Sequence, residues 1–321
     1  MRLKLVPSHT RIPFMAARRI TIPVSVAAML GSVLLILTLG LNLGVDFRGG
    51  TMLMLGTPQA TDIGVYRQAL GGLGLGEVTV TEISGSDNPA AEHQAVVRIA
   101  QQEGEAEMQQ ATLERVQEAL KQAVPGLSVL SVESVGGKVS GELIWSGIIA
   151  TVLAILATQI YIWARFEWQF SLGASASLVH DVVLTIGLFS LLQLEFNLSI
   201  VAAILTIIGY SLNDTVVIFD RVREYLRKYK KMDLAELIDL STNDTLSRTV
   251  MTAGTTLLAL VSLYILGGEV IRGFTFAMIW GVLIGTYSSV FVANLVVYLL
   301  GVERGDKPSS KAGTQFSNID A

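Results

Sequence analysis

Residues 198–220 read LSIVAAILTIIGYSLNDTVVIFD, and up to residue 219 this run holds a single charged side chain, Asp214. At ~1.5 Å of rise per residue, a helix of this length covers the ~30 Å hydrocarbon core of a bilayer. A run this long and this poor in charge predicts a transmembrane helix. Five further stretches read the same way: 20–41, 142–163, 169–193, 248–267 and 275–300. The expected fold is a membrane all-α bundle of six helices. One polar insert, 42–140, lies between helices 1 and 2 and is rich in Asp and Glu.

The composition agrees with this division. Of the 321 residues, 51% are apolar and 16% charged, against about a quarter charged in soluble domains. There are no cysteines, which excludes disulfides, thiolate catalysis and cysteine-ligated metals. A net charge of −4 implies no particular partner, and no basic, aromatic-interleaved patch points to nucleic acid. Arg18 and Arg19 precede the first apolar run. That run is longer than the apolar core of a signal peptide and lacks a small-x-small cleavage site, so it is read as a retained span.

Lysine and arginine set the orientation. They gather in the tail 1–19, in the loop 221–246 and in the tail 301–321, three segments that six spans put on one side. Both termini are therefore expected in the cytoplasm and the insert 42–140 outside, which in a bacterium is the periplasm. Loop 221–246 mixes cations with Leu226, Leu234, Leu237, Ile238 and Leu240, which predicts a short amphipathic helix at the cytoplasmic interface. The tail 301–321 is expected to be disordered.

The insert has its own pattern. Thr51–Leu55 reads as a strand after Gly49-Gly50. Thr61–Leu70 reads as a helix with Asp62 near its start and Gly71-Gly72 as its stop. Val78–Ile83 and Gln94–Ile99 read as strands flanking a turn region at Ser84–Pro89. Glu107–Val124 is a helix with Leu113, Val116, Leu120 and Val124 on one face, ended by Pro125-Gly126, and Leu127–Val135 is a last strand. The order βαββαβ is the split unit of the ferredoxin-like α+β fold. His93, the insert's only histidine, reads as a surface residue, and no His, Asp and Glu group has metal-ligand spacing.

Catalytic signatures are missing. Gly136-Gly137-Lys138 is a fragment of a P-loop at a strand end and reads as a loop; there is no H-E-x-x-H and no G-x-S-x-G. Asn213-Asp214-Thr215 matches a glycosylation acceptor but lies inside a span. No catalytic residue, metal or cofactor is expected, so any work must draw on a partner or an ion gradient. Charged groups inside spans cost roughly 2.5–3.5 kcal/mol each at a helix centre and are functional candidates. Asp214 shares a helix face with Tyr210 and Ser211. A buried carboxylate near an arginine suits a proton relay; the plain alternative is an interhelical hydrogen bond. Arg248 opens the fifth expected span, at a depth that allows pairing with Asp214 if these spans are neighbours; otherwise it snorkels to the interface. In the third span, His180-Asp181 sits near mid-membrane, and Gly173, Ser177 and Asp181 share a face suited to close helix packing. Gly281, Gly285 and Ser289 form a small-residue packing stripe on the sixth.

The stretch Gly44-Val45-Asp46-Phe47-Arg48-Gly49-Gly50-Thr51 resembles the motif after the first span in the SecD/SecF family. Ile208-Gly209-Tyr210-Ser211-Leu212-Asn213-Asp214-Thr215-Val216-Val217, with Phe219-Asp220-Arg221-Val222-Arg223-Glu224 behind it, resembles that family's fourth-span signature, and Leu246-Ser247-Arg248-Thr249 matches as well. The similarity runs from about residue 18 to residue 300, and the short single insert favours the SecF branch. The resemblance implies membership of the resistance-nodulation-division superfamily. It further implies a pairing with SecD, association with the SecYEG channel, an indirect link to the motor SecA, and neighbours YajC and YidC. The task implied is promotion of preprotein movement to the periplasm across the inner membrane, driven by the proton motive force. Asp214 and Arg248 match positions implicated in proton passage; Asp46, Arg48, Gly49 and Gly50 carry the motif after helix 1; His180, Asp181, Asn213 and Tyr210 are weaker candidates. Two other readings stand beside it: a half-size exporter of lipids or small molecules from the same superfamily, and a passive scaffold whose polar membrane residues only pack helices.

Overall fold

The computed structural model of the chain describes residues 10–84, 93–100 and 106–302. The tail expected from 301 and the turn expected at 84–89 lie outside these residues, apart from Ser84, Gly301 and Val302. A 3-10 turn, Phe14–Ala17, leads into helix α1, Arg18–Thr38. A two-residue strand β1, Asn42–Leu43, and a short helix α2, Val45–Arg48, connect α1 to the insert.

The insert comprises β2 (Gly50–Thr57), α3 (Ile63–Gly71), β3 (Val78–Ser84), β4 (His93–Ile99), α4 (Ala106–Ala123) and β5 (Ser128–Val135). Its sheet runs β3-β4-β2-β5 with every neighbouring pair antiparallel. Asp62 caps α3 by accepting from the Gly64 amide, as expected of a side-chain oxygen at a helix start. Leu53, Leu55 and Val97 alternate onto one face of the sheet and bury against Val116, Leu120 and Val124 of α4 and Tyr66 and Leu70 of α3. The periodicities of 2 and 3.6 thus meet in one core.

Beyond the insert lie α5 (Gly137–Arg165), α6 (Trp168–Leu192), the two-residue strand β6 (Glu195–Phe196), α7 (Leu198–Lys228) and α8 (Leu234–Leu266). Helix α9 (Glu269–Ser288) continues through a π segment, Ser289–Ala293, into α10 (Asn294–Leu300). Among the described residues six helices, counting α9 to α10 as one, are long and apolar enough to cross a membrane. More than half of the apolar window of α6 is buried, and none of that of α5. Helices α6, α7 and α9 therefore form the interior, while α1, α5 and α8 present apolar faces outward.

Two local expectations fail. No separate interfacial helix occupies 221–246: α7 runs on to Lys228 and α8 starts at Leu234, capped by Asp233. The apolar residues there pack against protein, Leu234 and Leu240 only partly buried. Val222, Tyr225, Leu226, Leu237 and Ile238 pack with Met15, Phe166 and Phe170 in one cluster. The Met15 amide donates to Asp239 Oδ1 at 2.8 Å. Gly136-Gly137-Lys138 is likewise no loop; Gly136 is the N-cap of α5 and Gly137 already its first residue.

The junction between insert and helices has no counterpart in the sequence reading. Strand β1 pairs in parallel with β6, and the Gly44 amide donates to the Phe196 carbonyl at 2.9 Å. Asp46 Oδ2 accepts from the Leu198 amide at 2.9 Å, so a carboxylate from α2 caps the N-terminus of α7, where the helix dipole favours negative charge. Arg98 of β4 forms an ion pair with Glu195. Gly49 and Gly50 turn the chain from α2 into β2 with φ of 74° and 114°, a region that side chains with a Cβ rarely adopt.

Candidate functional site

Helix α7 carries Asp214 along the seam with α9. The seam is close because α9 offers glycine there. A Cβ added at Gly281 would lie 2.2 Å from Ile207 Cγ1, and one at Gly285 would lie 3.1 Å from Ser211 Cβ. The small-residue stripe expected on the sixth span thus faces α7, and its third member, Ser289, hydrogen-bonds Thr215 at 2.8 Å.

Asp214 is 3% exposed, and its carboxylate has no hydrogen-bond partner among the described residues. Arg248 of α8 is the cation that bears on it electrostatically. The two form no ion pair within 4 Å, and Arg248 itself is exposed. Tyr210, one turn before Asp214, has a buried hydroxyl turned toward Thr256 of α8, with Asp214 as the other polar group acting on it. Asn213 is exposed. Tyr210, Asp214 and Arg248 thus come together at the α7–α8 face, and Asn213 looks outward from it. An amide facing outward from a bilayer-spanning segment is costly against lipid, so this face suits a protein neighbour.

His180 and Asp181 of α6 lie elsewhere, between α6, α7 and α9. Both are fully buried, with Asp181 Oδ1 3.1 Å from His180 Nδ1. Asp181 Oδ2 accepts from Ser211 Oγ at 2.7 Å and from Ser288 Oγ at 2.8 Å. Ser177 Oγ donates to Ser288 Oγ at 2.8 Å. The face Gly173–Ser177–Asp181 is therefore a packing face; a Cβ at Gly173 would meet the Ala293 carbonyl at 2.8 Å. Ser288 escaped the sequence reading because it is one of four successive hydroxyl residues, Thr286-Tyr287-Ser288-Ser289, and only Ser289 continues the Gly281–Gly285 spacing. Its position seven residues after Gly281 was the available signal.

In the motif after helix 1, Asp46 caps α7, Gly49 and Gly50 make the turn, and Arg48 is exposed and lines a cleft of about 360 Å³ with Glu77 and Arg98. Partial burial, then the Asp46 and Glu195 carboxylates, push the Glu133 carboxyl up. Among the described residues no group of three or more His, Asp or Glu is placed to hold a metal ion.

Comparison with known proteins agrees at both ends of the chain. Residues 34–53 match the SecD/SecF GG motif, and residues 115–303 match the family described as protein export membrane protein SecD/SecF, C-terminal. The chain is 54% identical to protein translocase subunit SecF of Cereibacter sphaeroides, over all of this chain and 99% of that one. It is 50% identical to the subunit of the same name from Rhodobacter capsulatus, over 99% and 97%. The crystal structure of SecDF, a translocon-associated membrane protein from Thermus thermophilus, superposes with a TM-score of 0.81 at 31% identity. It covers 94% of this chain, which in turn spans 40% of SecDF. With the GG motif forming the junction and the fourth-span signature lining the α7–α8 face, the chain belongs to the SecD/SecF family of protein export membrane proteins, on its SecF branch.

Proposed function

We propose that this chain is the SecF half of a SecD–SecF complex that uses the proton motive force to promote preprotein movement through SecYEG. As a SecF-family member it is a multi-pass transport component of the Sec export pathway, and the proposal assigns it no catalytic step. The observation that carries the proton-driven reading is Asp214: a buried carboxylate with no hydrogen-bond partner, one helix away from an exposed arginine. A carboxylate kept only to pack helices would be expected to hold hydroxyl or amide donors, as Asp181 does. In the proposal, Asp214 takes up and releases the proton, Arg248 faces it from α8, and Tyr210 and Asn213 line the approach.

The outward polar face of α7 and α8 supports the complex. SecDF is a single chain of which this one matches 40%, so a SecD partner would supply the remainder and cover Asn213 and Arg248. The lysine and arginine distribution supports cytoplasmic termini in the inner membrane and a periplasmic, ferredoxin-like insert at 42–140. By resemblance, SecA acts before this subunit and YajC and YidC are neighbours, and no cofactor beyond the gradient is required. The half-size exporter is not favoured, because the SecF relatives match over their full length.

The test is a pulse-chase of secreted precursors in cells whose only copy is Asp214→Asn, with membrane levels checked. Accumulated precursors at normal protein levels are expected; normal export would refute the role of Asp214.

A further inference from the structure

The proton reading leaves one buried titratable pair unused. Asp181 is 0% exposed and His180 1%, and polar groups from four helices converge on them. From α7 comes Ser211 Oγ and from α9 Ser288 Oγ, both donating to Asp181 Oδ2. Ser177 of α6 donates to Ser288 in turn. The Tyr287 ring of α9 lies 6.0 Å from the imidazole, and its hydroxyl is 2.8 Å from Ser25 Oγ of α1. The nearest other carboxylate along α7 is Asp214, one turn beyond Ser211.

Interhelical packing accounts for Asp181 but not for His180. Its Nδ1 faces Asp181, while its Nε2 is buried with no partner. An unsatisfied buried polar atom costs about 1–3 kcal/mol, and at His180 the orphan belongs to a group that can take up a proton. The orphaned nitrogen is the open end of an otherwise closed network.

We propose that the His180–Asp181 pair is a second proton-exchanging site, separate from Asp214 and joined to its helix through Ser211. This rests on the proton-driven reading above. In the unloaded pair, neutral His180 carries its proton on Nδ1 and donates to the Asp181 carboxylate. On loading, a proton from water binds Nε2, the Nδ1–H bond breaks, and that proton passes to Asp181 Oδ1. The pair gains one proton and its net charge goes from −1 to 0. Ser211 and Ser288 then donate to a neutral carboxyl. Hydrogen bonds to ionised groups are roughly twice as strong as neutral ones, so loading loosens the hold of α6 on α7 and α9 together. The π segment that follows Ser288 lies where that loosening is felt, and such segments recur at sites of functional rearrangement.

The experiment is difference infrared spectroscopy across a pH titration. The sample is the full chain co-purified with SecD and reconstituted in vesicles of phosphatidylethanolamine and phosphatidylglycerol. The protonated-carboxyl region is expected to hold an Asp181 band that Asp181→Asn removes while a band removed by Asp214→Asn remains. His180→Gln keeps the carboxylate and serves should Asp181→Asn fail to assemble; it is expected to abolish the pH dependence of the Asp181 band. A spectrum unchanged by both variants means that Asp181 is a permanently ionised anchor and overturns the proposal. The Asp214 band reports separately on the reading it rests on, so the two can fail independently.

Discussion

Gly281→Ala probes the α7–α9 seam directly. The new methyl carbon would sit 2.2 Å from Ile207 Cγ1, 2.4 Å from Cδ1 and 3.0 Å from Cγ2. Ile207 is 1% exposed, so its side chain has no free space to enter and either the helices separate or the rotamer is forced. Overpacking of this kind costs typically 1–3 kcal/mol. Replacing a helical glycine by alanine returns about 1 kcal/mol of propensity, which leaves a net loss of roughly 0–2 kcal/mol by these two terms. That range is too wide for the single variant to decide, but a double-mutant cycle narrows it. Ile207→Ala removes all three contacting atoms and alone costs about 2–5 kcal/mol for the cavity it leaves. In the double variant the methyl introduced at position 281 enters that cavity, so the double should be more stable than the sum of the two singles by about 1–3 kcal/mol. Thermal unfolding of the purified SecD complex in mild detergent, followed by loss of the assembled species, measures this. Additive losses would show that α9 does not approach α7 through Gly281, and the seam that positions Asp214 and Ser288 would have to be redrawn.

Two further outcomes concern the junction. Asp46→Ala removes the cap on the Leu198 amide and should cost about 1 kcal/mol, whereas Asp46→Asn, which keeps the acceptor but not the charge, should lose only the dipole part, about 0.3–1 kcal/mol; equal losses, measured by thermal unfolding, would rule out the capping role. For Glu133 the fold favours the protonated form, so stability falls as pH rises from the unfolded carboxyl value of 4.5 toward the raised folded one and is level above both. Glu133→Gln should therefore stabilise at pH 7 by a few tenths of a kcal/mol, a small figure because the side chain is largely solvated. The gain should vanish below about pH 4.5, and the same gain in melting temperature at pH 7 and pH 4 would contradict the assignment.

The elements that the sequence made legible are those whose cause is local. Charge-poor runs long enough for a bilayer gave the spans. Alternation gave β3 and β4, and Asp62 and Gly126 marked where helices start and stop, the latter with φ of 78°. What stayed hidden depends on contacts far apart in the chain. Asp46 caps a helix 152 positions later, and Ser288 meets Asp181 across 107. A sequence can nominate a buried carboxylate by its improbability in a span, but it does not name the hydroxyls that the fold brings to it.

Arg248 shows how a helix can begin well before its apolar run. Read as the first residue of a span, it had a bland explanation, because a long cation at a helix end reaches water along its own stem. Helix α8 begins instead at Leu234, 14 residues before it. The helix extends that far because Leu237 and Ile238 pack into the cluster with Met15 and Phe166, a tertiary cause that hydropathy does not register. Arg248 is then an interior helix residue whose guanidinium is neither buried in this chain nor ion-paired within its described residues, on the same face as Asn213 and beside a carboxylate that lacks a donor. The apolar run of α8 begins just after Arg248, so the guanidinium lies where it can meet water or the polar groups of a partner. A SecD partner covering this face would also close the space around Asp214. Assembly with the partner and the environment of the proton-relay candidate are therefore one question, and a partner-side substitution facing Arg248 should alter export in the same direction as Asp214→Asn.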